Sequence, residues 1–325
     1  MQLVTGFKIA ASLSVVAQLG IADLLAGRPK PVSELARVAQ VNEDALYRVL
    51  RALASVGVFT ETASRTFANT PASELMCTGA RDSMRDVMVW MGDDFHLRTY
   101  AELMHSVKTG GTAVKKFTGS EAFEYFEQDK AEGERFNAAM TNFSAVLMPA
   151  VLEAYDFSGL GTLADIAGGH GFALTSILKK HPDLRGILFD LPHVVSGAKP
   201  RIESLGLADR CQIVAGDFFQ AVPVADCYVM KNIIHDWDDA RALAILKNCA
   251  GALRGKGKVI LIENVISPGN EPHFGKWLDI DMLTLAGGRE RTQAEFAALF
   301  SQARLRLSRV VPTKSPVCVV EAVKA

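Results

Sequence analysis

The sequence predicts an α/β protein, a doubly wound and largely parallel sheet of seven strands preceded by a mostly helical N-terminal part. Three observations carry this prediction. From about residue 156 onward, short apolar runs alternate with helical patterns, as in sheets whose strands are joined by crossover helices. Leu163 to Leu191 reads as strand, turn, helix, strand, the turn being Gly168-Gly169-His170-Gly171. Before residue 156 the apolar spacing is helical almost throughout, which calls for a second domain.

Length and composition agree. A chain of 325 residues with 49% apolar side chains supports about two domains with real cores. A formal net charge of −1 gives no general attraction to nucleic acid or anionic membrane. The five cysteines are odd in number and scattered without a C-x-x-C, which suits a reducing, cytoplasmic setting and supplies no disulfide framework or zinc site. Ile9 to Ala17 resembles a signal core, but its pattern continues through Gln18 and Asp23 without a cleavage site and reads as a helix. No uncharged run approaches the roughly 20 residues that span a bilayer.

In chain order, residues 1 to about 27 form an amphipathic helix stopped by Gly27. Val32 to Ala39 is a short helix, Asn42 is an N-cap, and residues 43–55 carry Leu46, Val49, Leu50 and Leu53 on one face. Val58 to Thr62 and Thr66 to Thr70 pair as a β wing, completing a winged helix-turn-helix pattern. Such a pattern suggests DNA binding. Residues 1–110 carry about as many acids as bases, so the counterion-release term is weak and a structural or dimer-forming use is the better reading. Residues 71–155 are mostly helical and rich in Met, Phe, Tyr and Trp, which pack a core and can also line a pocket for an aromatic ligand. Thr109 to Ser120, with three glycines and Lys115-Lys116, reads as an exposed connection. The expected domains are therefore 1–100, a helical linker over 101–155, and 156–325.

Strands follow at Leu163 to Ala167, Gly186 to Phe189, Cys211 to Val214, Cys227 to Met230, Lys258 to Glu263, Leu307 to Val311 and Val317 to Val323, the last two antiparallel because only a few residues join them. Ligands of such sheets sit outside the carboxyl ends of the strands. The strand ends carry the glycine turn, Asp190, Asp217-Phe218, Lys231 with His235, and Glu263. Glycines admit a ligand close to the backbone, and Asp190 can accept both hydroxyls of a ribose. A dinucleotide fingerprint wants G-x-G-x-x-G, but Leu174 stands where the third glycine belongs. A nucleoside without phosphates, such as S-adenosylmethionine, fits this turn better. Asp217 can accept from an adenine amino group while Phe218 packs on the ring. His235, with an ordinary pKa of about 6.5, is the natural base at neutral pH, and Glu263 and Glu290 can fix its tautomer. Alternatively, Glu290 and Thr292 cap the next helix.

These motifs in this order, Asp165-x-Ala-Gly-Gly-x-Gly, Phe189-Asp190-Leu191-Pro192, Gly216-Asp217-Phe218-Phe219, Met230-Lys231 with His235-Asp236-Trp237, Glu263-Asn264 and Gly287-Gly288-Arg289-Glu290-Arg291-Thr292, resemble the S-adenosylmethionine-dependent O-methyltransferases of the plant caffeic acid and isoflavone type and their bacterial small-molecule relatives. The resemblance covers essentially the whole chain. It implies a Rossmann-like class I methyltransferase sheet, an N-terminal winged-helix domain that forms a homodimer, and S-adenosyl-L-methionine as cofactor. It implies cofactor contacts at Ala167, Gly168, Gly169, Asp190, Leu191, Asp217, Phe218 and Lys231. His235 becomes the general base, flanked by Glu263 and Glu290. Trp90, Met91, Phe136, Met140, Asp236 and Met282 become acceptor-side residues. Ala167 stands where the family has a glycine, and Met282 to Gly287 is shorter than in plant members.

The expected reaction is methyl transfer to a hydroxyl of a small, aromatic or polyketide-like acceptor, with no metal, nucleic acid or membrane involved. Asp93-Asp94 and Asp238-Asp239 read as helix starts or turns rather than metal ligands. The rival readings are N-methylation on the same scaffold and a winged-helix DNA-binding regulator.

Overall fold

The structure is a computed structural model that describes residues 3–80 and 82–325. Residues 1 and 2 of the expected first helix lie outside the described residues. The chain forms two compact units, one of residues 1–102 with 125–146, the other of residues 103–124 with 147–325. The segment 101–155, expected as a linker, is thus shared between the two.

In the first unit, Gly6–Gln18 is helical, and Gly20 at φ +63° separates it from Ile21–Leu24. The single helix expected to run to Gly27 is therefore two. A left-handed residue ends the ladder there while the apolar stripe continues past it. Helices Val32–Ala39 and Glu43–Ala54 stand as expected, with the Asn42 side chain accepting from the Ala45 amide at 2.9 Å. Strands Phe59–Ala63 and Thr66–Asn69 pair antiparallel, and Lys30–Pro31 adds a short third strand. Val16, Ile21, Leu35, Leu50, Leu53, Phe59 and Phe67 form the core between these elements. The later part of this unit carries an aromatic cluster in which Trp90 meets Phe136 edge to face at 5.5 Å and Phe126 stacks on Phe136 at 4.7 Å. Met91 and Met140, the other expected acceptor-side residues here, are half-buried.

The second unit holds the sheet. Its strands are β1 (Thr162–Ile166), β2 (Arg185–Asp190), β3 (Cys211–Ala215), β4 (Ala225–Lys231), β5 (Leu253–Glu263), β6 (Leu305–Pro312) and β7 (Cys318–Lys324). Their order is β3-β2-β1-β4-β5-β7-β6. The first five are parallel, and β7 lies antiparallel between β5 and β6. This is the expected doubly wound sheet. Apolar layers cover both faces, with Leu163, Leu174, Ile177 and Val229 in one and Ile166, Met230, Ile245 and Phe300 in the other. Strands buried on both faces read as continuous apolar runs, which is why they were legible.

Two parts of this unit differ from expectation. Thr109 to Ser120 contains a helix, Ala113–Thr118, capped by the Thr112 hydroxyl, with Ala113 and Val114 fully buried. Between β2 and β3, where the sequence pattern by itself reads as one helix from about Val194 to Leu205, the chain forms two short ones, Pro192–Val195 and Lys199–Ser204. Before the last helix, Gln293–Gln302, the helix Phe274–Asp281 passes into a π-helical turn, Met282–Ala286, ended by Gly287. Such turns are uncommon and gather at functional sites.

Candidate active site

The carboxyl edge of the sheet brings the expected residues of the second unit together. After β1 the chain turns through Ala167 at φ +55°. A side chain at Gly168 would lie 2.5 Å from the Leu188 side chain and 2.7 Å from the Asp165 carboxyl, so both would have to shift to admit one. Asp190, at the tip of β2, accepts from the Gly169 amide at 2.8 Å and the Leu191 amide at 2.7 Å. Burial raises its pKa, and those two amides pull the other way. A carboxylate has lone pairs left after two bonds, so Asp190 is aimed and still able to accept from a diol.

The helix Phe172–Lys180 starts behind this turn, but its N-terminus is not an open anion site. Buried Asp165 already accepts from the Leu174 amide at 3.2 Å, and burial pushes its pKa up to about 7. A pyrophosphate would need those amides and would meet a carboxyl group. A phosphate-free nucleoside meets no such conflict, and S-adenosylmethionine fits the residues present. Asp217 fixes its own loop by accepting from the Phe219 amide at 2.8 Å, and Phe218 beside it is half-buried. Lys231 ends β4 with its pKa lowered by burial, against the pull of Glu263, Asp165 and Asp236.

Beyond β4 a short 3-10 turn, Ile234–Asp236, carries His235, which is 5% exposed. Its Nδ1 lies 2.7 Å from Glu290 Oε1 and 3.8 Å from Glu263 Oε2, and its Nε2 lies 3.5 Å from Asp236 Oδ1. Glu263 works twice, because its Oε1 also accepts from the Ile233 and Ile234 amides at 3.0 and 2.9 Å. Glu290 does not cap the last helix. Thr292 does so, in a reciprocal box with Glu295. Burial disfavours a charged imidazole, yet Glu263, Asp236 and Glu290 outweigh it and raise the His235 pKa to about 10. Burial lifts Asp236 to about 6 and Glu263 to about 7, with His235 opposing both. The ligand atoms of His235, Glu263 and Glu290 also lie within 4.8 Å of one another, close enough for a divalent ion.

Sequence reasoning missed what holds this turn. Arg291, 1% exposed, donates to the carbonyls of Ile234 and Trp237, both at 2.9 Å, and to Asp239 at 2.7 Å. Gly288 packs so tightly on the same turn that a side chain would lie 2.0 Å from the His235 carbonyl oxygen. A second omission is an aromatic wall. Trp237 stacks on Phe123 at 5.5 Å and meets Phe219 edge-on at 4.9 Å. With Arg241 and Ala286 these residues line a cleft of about 440 Å³. The tryptophan two residues beyond the histidine was the available signal. Asp236 is half-buried and Met282, in the π-helical turn, is buried. Trp90, Met91, Phe136 and Met140 belong to the first unit.

Comparison with known proteins places this geometry. The O-methyltransferase domain family matches residues 100–306, and the O-methyltransferase dimerisation domain family matches residues 1–79. The phenazine O-methyltransferase PhzM of Lysobacter antibioticus is 44% identical over 323 residues, covering 99% of this chain and 94% of that protein. The crystal structure of LaPhzM superposes with a TM-score of 0.95 at 44% identity, covering 100% of this chain and 98% of that one. The O-methyltransferase NcsB1 from neocarzinostatin biosynthesis, solved with S-adenosylmethionine and 2-hydroxy-5-methyl naphthoic acid, matches with a TM-score of 0.81 at 33% identity, covering 97% and 96%. No helix among the described residues is long and apolar enough to cross a membrane. The phosphate-free nucleoside cradle and the matches along nearly the whole chain lead to one conclusion: this chain belongs to the S-adenosylmethionine-dependent O-methyltransferases of the caffeic acid type.

Proposed function

We propose that the protein methylates a hydroxyl of a small aromatic or polyketide-like acceptor, with His235 as general base. The observation that carries this reading is the 2.7 Å contact between His235 Nδ1 and Glu290. A carboxylate only accepts, so the proton on that side stays on Nδ1 and Nε2 is the nitrogen able to take one from the acceptor. When bound, S-adenosylmethionine supplies a sulfonium methyl group, and its positive charge works against a second cation on the imidazole. Glu263 and Glu290 orient the ring and stabilise it once protonated. Positioned proton transfer of this kind contributes roughly 10² to 10⁴-fold in rate.

In this reading Asp190 accepts the ribose hydroxyls, Asp217 and Phe218 hold the adenine, and Lys231 lies beside the cofactor. The backbone of Ala167, Gly168, Gly169 and Leu191 forms the floor. Within the second unit, Asp236 and Met282 lie on the acceptor side, and Trp90, Met91, Phe136 and Met140 form part of the aromatic-rich region of the first unit. The phenazine and naphthoic acid in the names of the relatives support a planar aromatic acceptor. The Nδ1–Glu290 hydrogen bond uses atoms a metal would need, so activity is expected to persist in excess chelator. The N-terminal unit exposes Leu3, Val4, Phe7 and Val15, and with the match to a dimerisation domain this supports a homodimer, which light scattering would measure.

The test is radiolabelled methyl transfer from S-adenosylmethionine across phenols, phenazines, naphthoates, carotenoid alcohols and amines. Labelled ethers of hydroxylated aromatics are the expected product. Label found only on amines would replace O-methylation by N-methylation, and no transfer to any aromatic would reject the acceptor class.

A further inference from the structure

Asn232 follows β4 directly and adopts φ +54°, the left-handed region. Asparagine visits this region at a smaller cost than most side chains, and it is held there where the surroundings enforce it. Here they do. The Asn232 amide donates to the Ile262 carbonyl at 3.0 Å, and the next amide, of Ile233, is held by Glu263 at 3.0 Å. The backbone is pinned on both sides, and the side-chain oxygen it presents, Oδ1, is buried with no hydrogen-bond partner. Buried polar atoms are nearly always paired, so this one calls for a donor from outside the chain.

The order of the sheet indicates which donor. Asp217 follows β3, Asp190 ends β2, the glycine turn follows β1, and Asn232 follows β4, in the spatial order β3-β2-β1-β4. An adenosyl ligand with its base at β3 and its ribose at β2 carries its amino-acid end toward β1 and β4. The ammonium at that end is the one strong donor of the cofactor for which no acceptor has been assigned. We propose that Asn232 Oδ1 is a cofactor-binding atom that accepts a hydrogen bond from the methionyl ammonium of S-adenosylmethionine. This rests on the placement of base and ribose given above.

Isothermal titration tests it with S-adenosylhomocysteine and with the analogue lacking the amino group. Asn232→Gly suits the observed φ and removes the oxygen, while Asn232→Asp keeps an acceptor in place. A hydrogen bond to a charged donor corresponds to roughly 10- to 100-fold in affinity. Wild type is expected to lose that much on the deaminated analogue, and Asn232→Gly to lose as much on S-adenosylhomocysteine. Asn232→Gly should then bind the two ligands alike, and Asn232→Asp should retain S-adenosylhomocysteine within a few-fold. Wild-type affinity in Asn232→Gly, or an equal loss for both ligands in that variant, would overturn the inference and leave Oδ1 to a bound water. If wild type itself did not bind S-adenosylhomocysteine, the nucleoside site would fall first and this inference with it.

Discussion

The two halves of the site are built differently. The nucleoside half is local. Gly168, Gly169, Asp190 and Leu191 lie within one strand-turn-helix-strand unit, and their bonds link residues at most 21 apart in sequence. The base half is assembled from afar. His235 meets Glu290 across 55 residues, and Arg291 reaches the Ile234 carbonyl across 57. The first half is half-buried and fixed by backbone amides, while the second is sealed and fixed by charged groups, Glu263 being fully buried. A half fixed by local backbone bonds confines the effect of a side-chain change to the contact that side chain makes. A half built from buried charges couples every change to stability and to protonation.

Removing Arg291 should break the second half most severely. Arg291→Met removes the donor to the Ile234 and Trp237 carbonyls and to Asp239, three hydrogen bonds of about 1 kcal/mol each, so a loss of roughly 3 kcal/mol is expected by urea unfolding. Stability within 0.5 kcal/mol of wild type, a margin typical of surface changes, would mean that the turn holds itself.

Glu290→Gln should lower kcat by roughly 10- to 100-fold, the usual size of a lost orienting charge beside a base. It also removes one of the carboxylates that raise His235 to about 10, so the rising limb of kcat against pH should move to lower pH. The same shift is linked to stability. A histidine raised above its ordinary 6.5 stabilises the fold fully below that value and loses the contribution as pH rises toward about 10. Wild type should therefore lose more stability than Glu290→Gln between pH 7 and 10. An unmoved pH limb would disconnect Glu290 from the imidazole.

In the nucleoside half, Asp190→Asn should raise the dissociation constant of S-adenosylhomocysteine by about tenfold, the size of one charge-assisted hydrogen bond, with kcat at saturating cofactor nearly unchanged. A large fall in kcat with unaltered binding would erase the distinction between the halves. The smallest effect belongs to Ala167→Gly. It relieves a left-handed alanine and should stabilise the protein by roughly 0.5–1 kcal/mol. Thermal unfolding reads it, and destabilisation would show that the alanine methyl packs usefully.

The same contrast explains what the sequence revealed. Asp190 and the glycine turn could be placed because their neighbours in space are neighbours in sequence. The seven strands stood out as apolar runs, and Asn42 marked its helix by the local chemistry of a cap. Arg291 looked like one charged residue among several, because its partners are mostly backbone carbonyls brought to it by the fold. Gly20 lay hidden inside a continuous apolar stripe that pointed to Gly27 as the stop. The helix Ala113–Thr118 was masked by flanking glycines and lysines, although Thr112 announces it. His235 and Glu263 could be placed by their positions at the strand ends, whereas Glu290, 55 residues from the histidine, stayed open between the imidazole and a helix cap because only the fold brings the two within 2.7 Å.

The central claim is that His235 takes the acceptor proton, and acceptors of graded acidity test it most directly. Single-turnover methylation at pH 9, nearer the raised His235 pKa, and saturating cofactor is compared between wild type and His235→Ala for phenols already ionised at that pH and for phenols with a pKa of about 10. The account predicts a loss of roughly 10² to 10⁴-fold for the weakly acidic phenols and almost none for the ionised ones. Equal losses for both, or none for either, would contradict it.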